Sequence, residues 1–414
     1  MKTVLIIYPH WPPSNLVGVH RVRLVANHLN SQGWHPIVLT VDDYDYEEPP
    51  VPELTQLVSD SVEVIKVRAL PVIKAMGRRI IGDIGIRGGM ALRKAAAHIL
   101  SDRNVDFIWF SMPSWYPPLM GPGLHRRFGI PYGIDYQDPW VYELPANTSQ
   151  FSRAKMTRTM ATVLEPFVLK RTSLITAINA PYVRGISERH PDLDSIPRAF
   201  FQLGFDEKDH QLEMKTPLLW KPDQDAFLYA GAFLPLSAPF HRILLRAARQ
   251  LLDENRIPAN IHFFYVGTGR IDQPILSLAQ KEGMQNHVTE IPERISFLDI
   301  QHLLRHTRAN MVIGSPEPHY SASKVFQCIL SNRPVLSVLH KTSEAADILT
   351  RCGGQATLAT FSGDLNQLNT HVKRALKACF VDTEEPLDTE PIQPYHAREA
   401  ARSLACAMNA IVTP

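Results

Sequence analysis

Short apolar runs alternate with amphipathic stretches along most of the chain, which is the pattern of parallel β-strands joined by helices. Helical periodicity is clearest at residues 20–30 and 241–255. A continuous apolar run lies at 4–8, and further strands are expected at 36–40, 105–110, 131–135, 174–177, 227–231, 262–266 and 309–314. The order of elements predicts an α/β protein built from β-α-β units.

The length of 414 residues is sufficient for two domains with full-sized cores. We place the first domain at residues 1–205 and the second at 206–393. The tail, about 394–414, predicts an amphipathic helix with Ala400, Leu404, Met408 and Ile411 on or near one stripe.

Composition excludes several classes of protein. A net charge of +2 is too small to indicate nucleic-acid binding. The four cysteines have no C-x-x-C pair, which favours reduced thiols over a disulfide framework or a zinc site. The apolar start, residues 1–8, is too short for a signal peptide, and no apolar run has the length of a membrane span. We therefore expect a cytoplasmic protein, with peripheral attachment to the inner face of the plasma membrane as an option.

The strongest candidate chemistry lies in residues 315–338, where a polar, Pro-broken loop leads into a short helix and then a strand. Ser321 or Ser323 can cap this helix, whose free N–H groups would then attract an anion such as phosphate. Lys324 in the first turn opposes the helix dipole and favours an anionic partner. Gln327 lies one turn further on the same face. This combination suits a sugar nucleotide.

The same stretch, Ser-Lys-Val-Phe-Gln from Ser323 followed by Ser-Asn-Arg-Pro-Val-Leu, resembles a signature of retaining glycosyltransferases of the GT-B fold, the large family of bacterial polysaccharide and lipopolysaccharide enzymes. The resemblance implies that Lys324 contacts the donor diphosphate. It places Gln327 where a glutamate normally holds the ribose hydroxyls. His319 occupies the position of the family's first glutamate, and Glu317 is two residues out of register.

What the resemblance implies for the whole chain is two Rossmann-like domains facing across a cleft, with the C-terminal helix crossing back to the first. The second domain would bind a UDP- or GDP-linked sugar, and the first a glycan or lipid-linked glycan. The implied reaction is metal-independent transfer with retention of configuration, without a cofactor, in cell-surface polysaccharide synthesis.

In the first domain, the opening segment 8–40 resembles the family's glycine loop, where Gly18 would face the donor; the alternative is a simple turn. The segments DFIWFSMPSW and YGIDYQDPW also resemble family segments. Asp138 follows a strand there and could orient or deprotonate an acceptor hydroxyl, or could cap the next helix. His20 is a further acid/base candidate. Acceptor-side candidates are Arg21, Ser111, Pro113 and Asp135.

In the second domain, Gly231 follows a strand, but residues 235–240 contain no cation for the family's phosphate clamp. Arg242 is the nearest candidate. Gly267 belongs to a Gly-x-Gly that lacks the third glycine of a dinucleotide fingerprint, so we discard NAD binding. Backbone near Ile295 would contact the nucleotide base.

A basic, amphipathic segment covers residues 66–94, with Asp83 as its only acid. It could bind anionic lipid headgroups or a lipid-diphosphate acceptor, or it could be an ordinary solvated face. The cations are Lys66, Arg68, Lys74, Arg78, Arg79, Arg87, Arg93 and Lys94.

Two rival functions share the expected scaffold. One is a non-catalytic GT-B paralogue that binds a partner or glycan, favoured by Gln327, His319 and the cation-poor loop after Gly231. The other is a GT-B sugar-nucleotide epimerase, which would need several acid/base groups where we find only Asp138, His20 and His319.

Overall fold

A computed structural model describes residues 1–75, 78–142, 144, 148–149, 152–317, 324–363, 365–381 and 386–412, with backbone alone at 73–75 and 78–81. The chain divides into two compact units. Unit 1 comprises Met1–Gly204 with Tyr395–Pro414, and unit 2 comprises Phe205–Pro394.

Unit 1 begins with a β-α-β arrangement and continues with further parallel strands. Its elements up to residue 200 are β1 (Lys2–Ile7), α1 (Val17–Leu29), β2 (Trp34–Val41), β3 (Glu63–Val67), β4 (Ile73–Ala75), β5 (Arg78–Ile81), α2 (Ile84–Arg87), α3 (Gly89–Asp102), β6 (Phe107–Met112), α4 (Gly121–Phe128), β7 (Tyr132–Tyr136), α5 (Arg153–Leu169), β8 (Leu174–Ala177), α6 (Ala180–Arg189) and β9 (Arg198–Phe200). Seven of these strands form a parallel sheet of order β3-β2-β1-β6-β7-β8-β9, and β4 and β5 form an antiparallel hairpin.

The apolar run of β1 is continuous because both faces of this sheet are covered. Leu5 and Ile7 belong to one hydrophobic cluster, and Val4 and Ile6 to another, as the two-residue period of a strand requires.

Unit 2 is a second parallel α/β unit. Its elements are β10 (Asp225–Ala230), α7 (Ala238–Asp253), β11 (Ile261–Val266), α8 (Pro274–Lys281), β12 (Val288–Ile291), α9 (Phe297–Arg305), β13 (Ala309–Ile313), α10 (Lys324–Leu330), β14 (Val335–His340), α11 (Glu344–Arg351), β15 (Leu358–Phe361) and α12 (Leu368–Ala378). The strand order is β12-β11-β10-β13-β14-β15. The predicted α/β class with two parallel sheets is therefore confirmed.

The predicted tail helix is also present, as α13 (Ala397–Val412), and it belongs to unit 1. It packs on α1, where Leu404 and Met408 share a hydrophobic cluster with Val22 and Val25. No helix in the described ranges combines the length and apolar character needed to cross a bilayer.

Several charges of segment 66–94 are neutralised by acids, and the lipid-binding alternative for this segment stays a prediction. Strand β3 pairs in parallel with β2, which brings the loop after β2 alongside the basic residues. Arg68 donates two hydrogen bonds to Asp45, at 2.8 and 3.0 Å. Lys66 pairs with Asp43 and the buried Arg87 with Glu47. The side chains of Lys74, Arg78 and Arg79 lie outside the described residues.

Candidate functional site

The strand order of each sheet reverses at one point, between β1 and β6 in unit 1 and between β10 and β13 in unit 2. In open α/β sheets, ligands bind outside the carboxyl ends of the strands at such a point. Both reversal points therefore define where the predicted site residues should gather.

Lys324 lies at the reversal point of unit 2. It is the first residue of α10, which follows β13, and its ammonium lies 4.0 Å from the centre of the Tyr229 ring in β10. Gly231, directly after β10, has φ +148°, and a Cβ there would come within 2.6 Å of the Lys324 Nζ. The backbone conformation favours glycine, and a side chain at this position would also displace the ammonium. The structure brings Lys324 and Gly231 together.

His241, in α7, packs against the same Tyr229 ring that the Lys324 ammonium contacts. Its ring is fully buried and contacts Tyr229 and Tyr265 edge-on, at centroid distances of 5.2 and 5.4 Å. Burial, with a smaller contribution from the Lys324 charge, lowers the pKa of His241 to about 3. Neither ring nitrogen has a hydrogen-bond partner among the described residues. The imidazole is therefore neutral near pH 7 and adds no positive charge beside Lys324.

The side-chain amide of Gln327 is hydrogen-bonded to a residue of the same unit. Its Oε1 lies 2.7 Å from Nε2 of His210. Burial lowers the pKa of His210 to about 4, so the ring is neutral near pH 7 and its Nε2–H donates to the amide oxygen. Arg305 donates hydrogen bonds to the carbonyls of His210 and Leu212, which fixes the segment that carries the histidine. The single acceptor oxygen of Gln327 is thus bound within the protein.

The remaining predicted donor residues of unit 2 lie in different surroundings. Arg242 is half exposed and pairs with Glu282, which also binds Arg246. Gly267 has φ +76° and donates its N–H to the Ile291 carbonyl at 2.8 Å, so it ends β11 as a tight turn. The half-buried Ile295 precedes Ser296, the N-cap of α9, and Glu317 is exposed. His319 and Ser323 lie outside the described residues.

In unit 1, three predicted acceptor-side residues form one buried network around Asp135. Arg21 donates to both oxygens of this carboxylate, at 2.9 and 2.8 Å, and to the Phe201 carbonyl at 2.7 Å. Ser111 and Thr176 each donate to one oxygen, at 2.9 and 2.8 Å. A buried ion pair persists when further hydrogen bonds satisfy its polar atoms. The acceptor role of these residues stays a prediction.

Gly18 lies in the first turns of α1, close to the reversal point of unit 1. A Cβ there would overlap the Tyr8 hydroxyl and would lie 3.3 Å from Pro113 Cδ, so glycine permits a close approach of α1 to the strand ends. Gln137 donates to the Gly18 carbonyl at 3.2 Å. The neighbouring His20 is buried; burial and the Arg23 charge lower its pKa to about 3. His20 is thus a neutral group near pH 7.

Asp138 follows β7 with an exposed side chain. Desolvation by neighbouring protein atoms raises the pKa of the Asp138 carboxyl group. The charge of Asp138 in turn contributes to the raised pKa of Tyr8. The helix-cap alternative is wrong: the first helix described after it is α5, which is capped by Ser152. This geometry keeps Asp138 available as a carboxylate near the carboxyl ends of β1 and β7.

Sequence reasoning missed several residues at these points. Tyr229 could have been found, because it lies in the predicted strand that leads to Gly231, two residues before that glycine. His210 carried no signal, since it contacts Gln327 across 117 positions of sequence. In unit 1, His10 and Ser14 hydrogen-bond Glu48; burial opposes ionisation of Glu48, but these bonds lower its pKa to about 2.

No family model and no curated protein matches this chain. Solved structures do resemble it over its full length, and three are representative. Sucrose-phosphate synthase from Thermosynechococcus elongatus is 16% identical, with a TM-score of 0.55 and coverage of 100% of this chain and 96% of that one. WaaG, a glycosyltransferase involved in lipopolysaccharide biosynthesis, is 14% identical, with a TM-score of 0.54 and coverage of 99% and 100%. HepE of Anabaena, solved with UDP, is 13% identical, with a TM-score of 0.50 and coverage of 100% and 96%. The chain therefore has the GT-B fold.

Proposed function

We propose that this protein is a glycosyltransferase that moves a sugar from a nucleotide donor to a glycan or lipid-linked glycan, with retention of configuration, in cell-surface polysaccharide synthesis. The observation that carries the proposal is the ammonium of Lys324 beside Gly231, at the reversal point of unit 2. A cation beside a side-chain-free backbone turn is suited to a diphosphate, which needs both charge and close approach.

Stabilising the leaving diphosphate is the main demand of this chemistry, because negative charge develops there as the bond to the sugar breaks. Lys324 would supply that charge, with no metal in the proposal. Because His241 is neutral near pH 7, it does not place a second positive charge beside the lysine. In unit 1, Asp138 would orient or deprotonate the acceptor hydroxyl, a role helped by its raised pKa. The UDP bound to HepE supports a nucleotide-linked donor, and the role of WaaG supports a cell-surface product.

A non-catalytic GT-B protein that binds a partner or glycan is the second candidate. It is favoured by the hydrogen bond between His210 and Gln327, because one of the two lone pairs of the amide oxygen that could accept from a ribose hydroxyl is already used. The loop after Gly231, without a cation at 235–240, points the same way.

A thermal-shift screen over UDP- and GDP-linked sugars, followed by a hydrolysis assay with and without membrane extract, separates the two. Ligands that bind the folded state raise the melting temperature by mass action. We expect a shift with one nucleotide class and donor turnover that rises with extract. Binding without turnover would support the non-catalytic candidate, and no shift with any nucleotide sugar would contradict the proposal.

A further inference from the structure

Two histidines at the end of helix α9 form a pair that the proposed function does not use. His302 lies in the helix and His306 directly follows it. Their ring centres are 4.4 Å apart, with an angle of 38° between the ring planes. His302 is half-buried and His306 is exposed, so the pair is accessible from solvent. Residues four apart lie on one face of a helix, and two histidines at this spacing are suited to holding one metal ion.

The backbone at the end of α9 orients the ring of His306. Its Nδ1 lies 2.8 Å from the carbonyl oxygen of His302. A carbonyl oxygen only accepts, so Nδ1 carries the proton and the neutral ring has its lone pair on Nε2. Histidines that bind metals usually donate their other ring N–H to a carbonyl or carboxylate in this way, which fixes the tautomer and the ring orientation. His306 is thus held in the form that offers Nε2 to an ion.

The ring of His302 is held in a similar way. Burial and the neighbouring His306 lower the pKa of His302, and a hydrogen bond with the Thr216 backbone opposes this shift. A bond that favours the protonated ring is one that the ring donates, so the acceptor is the Thr216 carbonyl. The second ring nitrogen of His302 therefore keeps a lone pair in the neutral ring, which is the form that binds metals.

The distance between the rings and the nearby charges suit a shared cation. Two imidazoles that bind one ion at about 2.1 Å from each nitrogen have ring centres roughly 4.5–5 Å apart, close to the separation found. Asp299, one turn before His302, adds a negative charge to the surroundings of that ring. Arg305 is positive, but its terminal nitrogens donate to the carbonyls of His210 and Leu212.

We propose that His302 and His306 bind one divalent transition-metal ion, with water in its remaining positions. Imidazole suits Cu²⁺, Ni²⁺ and Zn²⁺, whereas Mg²⁺ and Ca²⁺ prefer oxygen ligands. The ion would join two side chains across the last turn of α9 and so stabilise the helix that carries Arg305. It would take no part in sugar transfer, so the inference is independent of the proposed function.

Calorimetric titration with metal chlorides tests the site. The full-length protein, without a polyhistidine tag and freed of metals by a chelator, should bind Cu²⁺ more tightly than Ni²⁺ or Zn²⁺ and should not bind Mg²⁺ at this site. His302→Ala and His306→Ala should each remove this site or weaken it at least about tenfold, because a single imidazole remains.

His371→Ala is the matched control for the loss of one imidazole. His371 lies in helix α12, and its Nδ1 also bonds a backbone carbonyl, that of Thr360 at 3.3 Å. No histidine lies four residues from it in the sequence. This variant should bind Cu²⁺ as the parent does.

Nitrogen NMR of the histidine rings locates the ion in the parent protein and does not depend on how a variant folds. Zn²⁺ should shift the Nε2 signal of His306 and leave its Nδ1–H in place, since Nδ1 donates to the His302 carbonyl. The signal is assigned as the one missing in His306→Ala.

Four results would overturn the inference. The first is a parent protein that binds none of the three transition-metal ions, and the second is Mg²⁺ binding as tight as Cu²⁺ binding. The third is unchanged Cu²⁺ binding in both histidine variants, or an equal loss in His371→Ala. The fourth is Zn²⁺ that leaves the Nε2 signal of His306 unshifted.

Discussion

Replacing Gln327 by glutamate tests how the donor-side helix α10 is held. In the parent, Nε2–H of His210 donates to a neutral amide oxygen at 2.7 Å, and burial lowers the pKa of His210 to about 4. In Gln327→Glu the acceptor becomes a carboxylate in the same place. A charged acceptor favours the protonated imidazole, so the pKa of His210 should rise.

The expected size follows from the two kinds of bond. A hydrogen bond to a neutral group contributes about 1 kcal/mol, and one to a charged group about 1.5–3 kcal/mol. The difference of roughly 1–1.5 kcal/mol corresponds to about one pKa unit. We therefore expect the pKa of His210 to move from about 4 to about 5.

An NMR titration of the histidine ring signals measures this change. The chain has 17 histidines, so the His210 signal is assigned as the one that disappears in His210→Phe. Gln355→Glu adds the same charge at an exposed position whose amide bonds the Thr350 carbonyl, and serves as control. A pKa of His210 that stays the same in Gln327→Glu, or shifts equally in Gln355→Glu, would refute the contact.

Three further predictions concern buried groups and the acceptor side. His241 is neutral when folded, with a pKa of about 3, and regains an ordinary pKa near 6.5 when unfolded; the parent should thus lose stability as the pH falls below 6.5. His241→Phe should remove about 2 kcal/mol of the loss between pH 7.5 and 5 in urea unfolding, and an unchanged pH profile would contradict this. Asp135→Asn leaves the buried Arg21 without its ion pair and should cost about 3–5 kcal/mol of unfolding free energy, whereas a loss below 1 kcal/mol would be inconsistent with the network. Asp138→Asn should lower turnover more than donor affinity in steady-state kinetics, and full activity in the variant would remove Asp138 from the reaction.

The central strands were predictable from the sequence because their side chains are buried on both faces of the sheet, whereas β3, β4, β5, β9 and β15 were not predicted. Val4, Leu5, Ile6 and Ile7 are all buried, so they form an apolar run that needs no tertiary information to recognise. The tail helix was predictable for a related reason, since it has one buried face and one polar face. Helix α1 is buried on nearly all sides, including His20, Arg21 and Arg23, so its polar residues do not mark a solvent face.

Helix α5 lacked such a pattern. Its buried residues, such as Ala161 and Val168, and its exposed ones, such as Met160 and Val163, are apolar alike, so the period is hidden. Pro166 within the helix weakens the propensity further. Only tertiary packing shows which face of α5 is buried and which is exposed.

The candidate site was predictable where it is local and hidden where it is not. Lys324 and Gly231 each lie next to a strand or helix end that the pattern indicates. The pairing of His210 with Gln327, and of Arg242 with Glu282, depends on how distant segments pack. The same is true of Lys66 and Asp43, which meet because β2 and β3 are parallel neighbours.

The most direct test of the donor site is a calorimetric titration of the parent, Lys324→Ala and Lys341→Ala with UDP and GDP. Lys341 is exposed after β14 and controls for the loss of one positive charge. The account predicts that the parent and Lys341→Ala bind one of the two equally. Lys324→Ala should then bind more weakly by about 1.5–3 kcal/mol, roughly 10- to 150-fold. Equal affinity of Lys324→Ala and the parent, or no binding of either diphosphate by the parent, would contradict the claim that Lys324 holds the diphosphate of a nucleotide sugar.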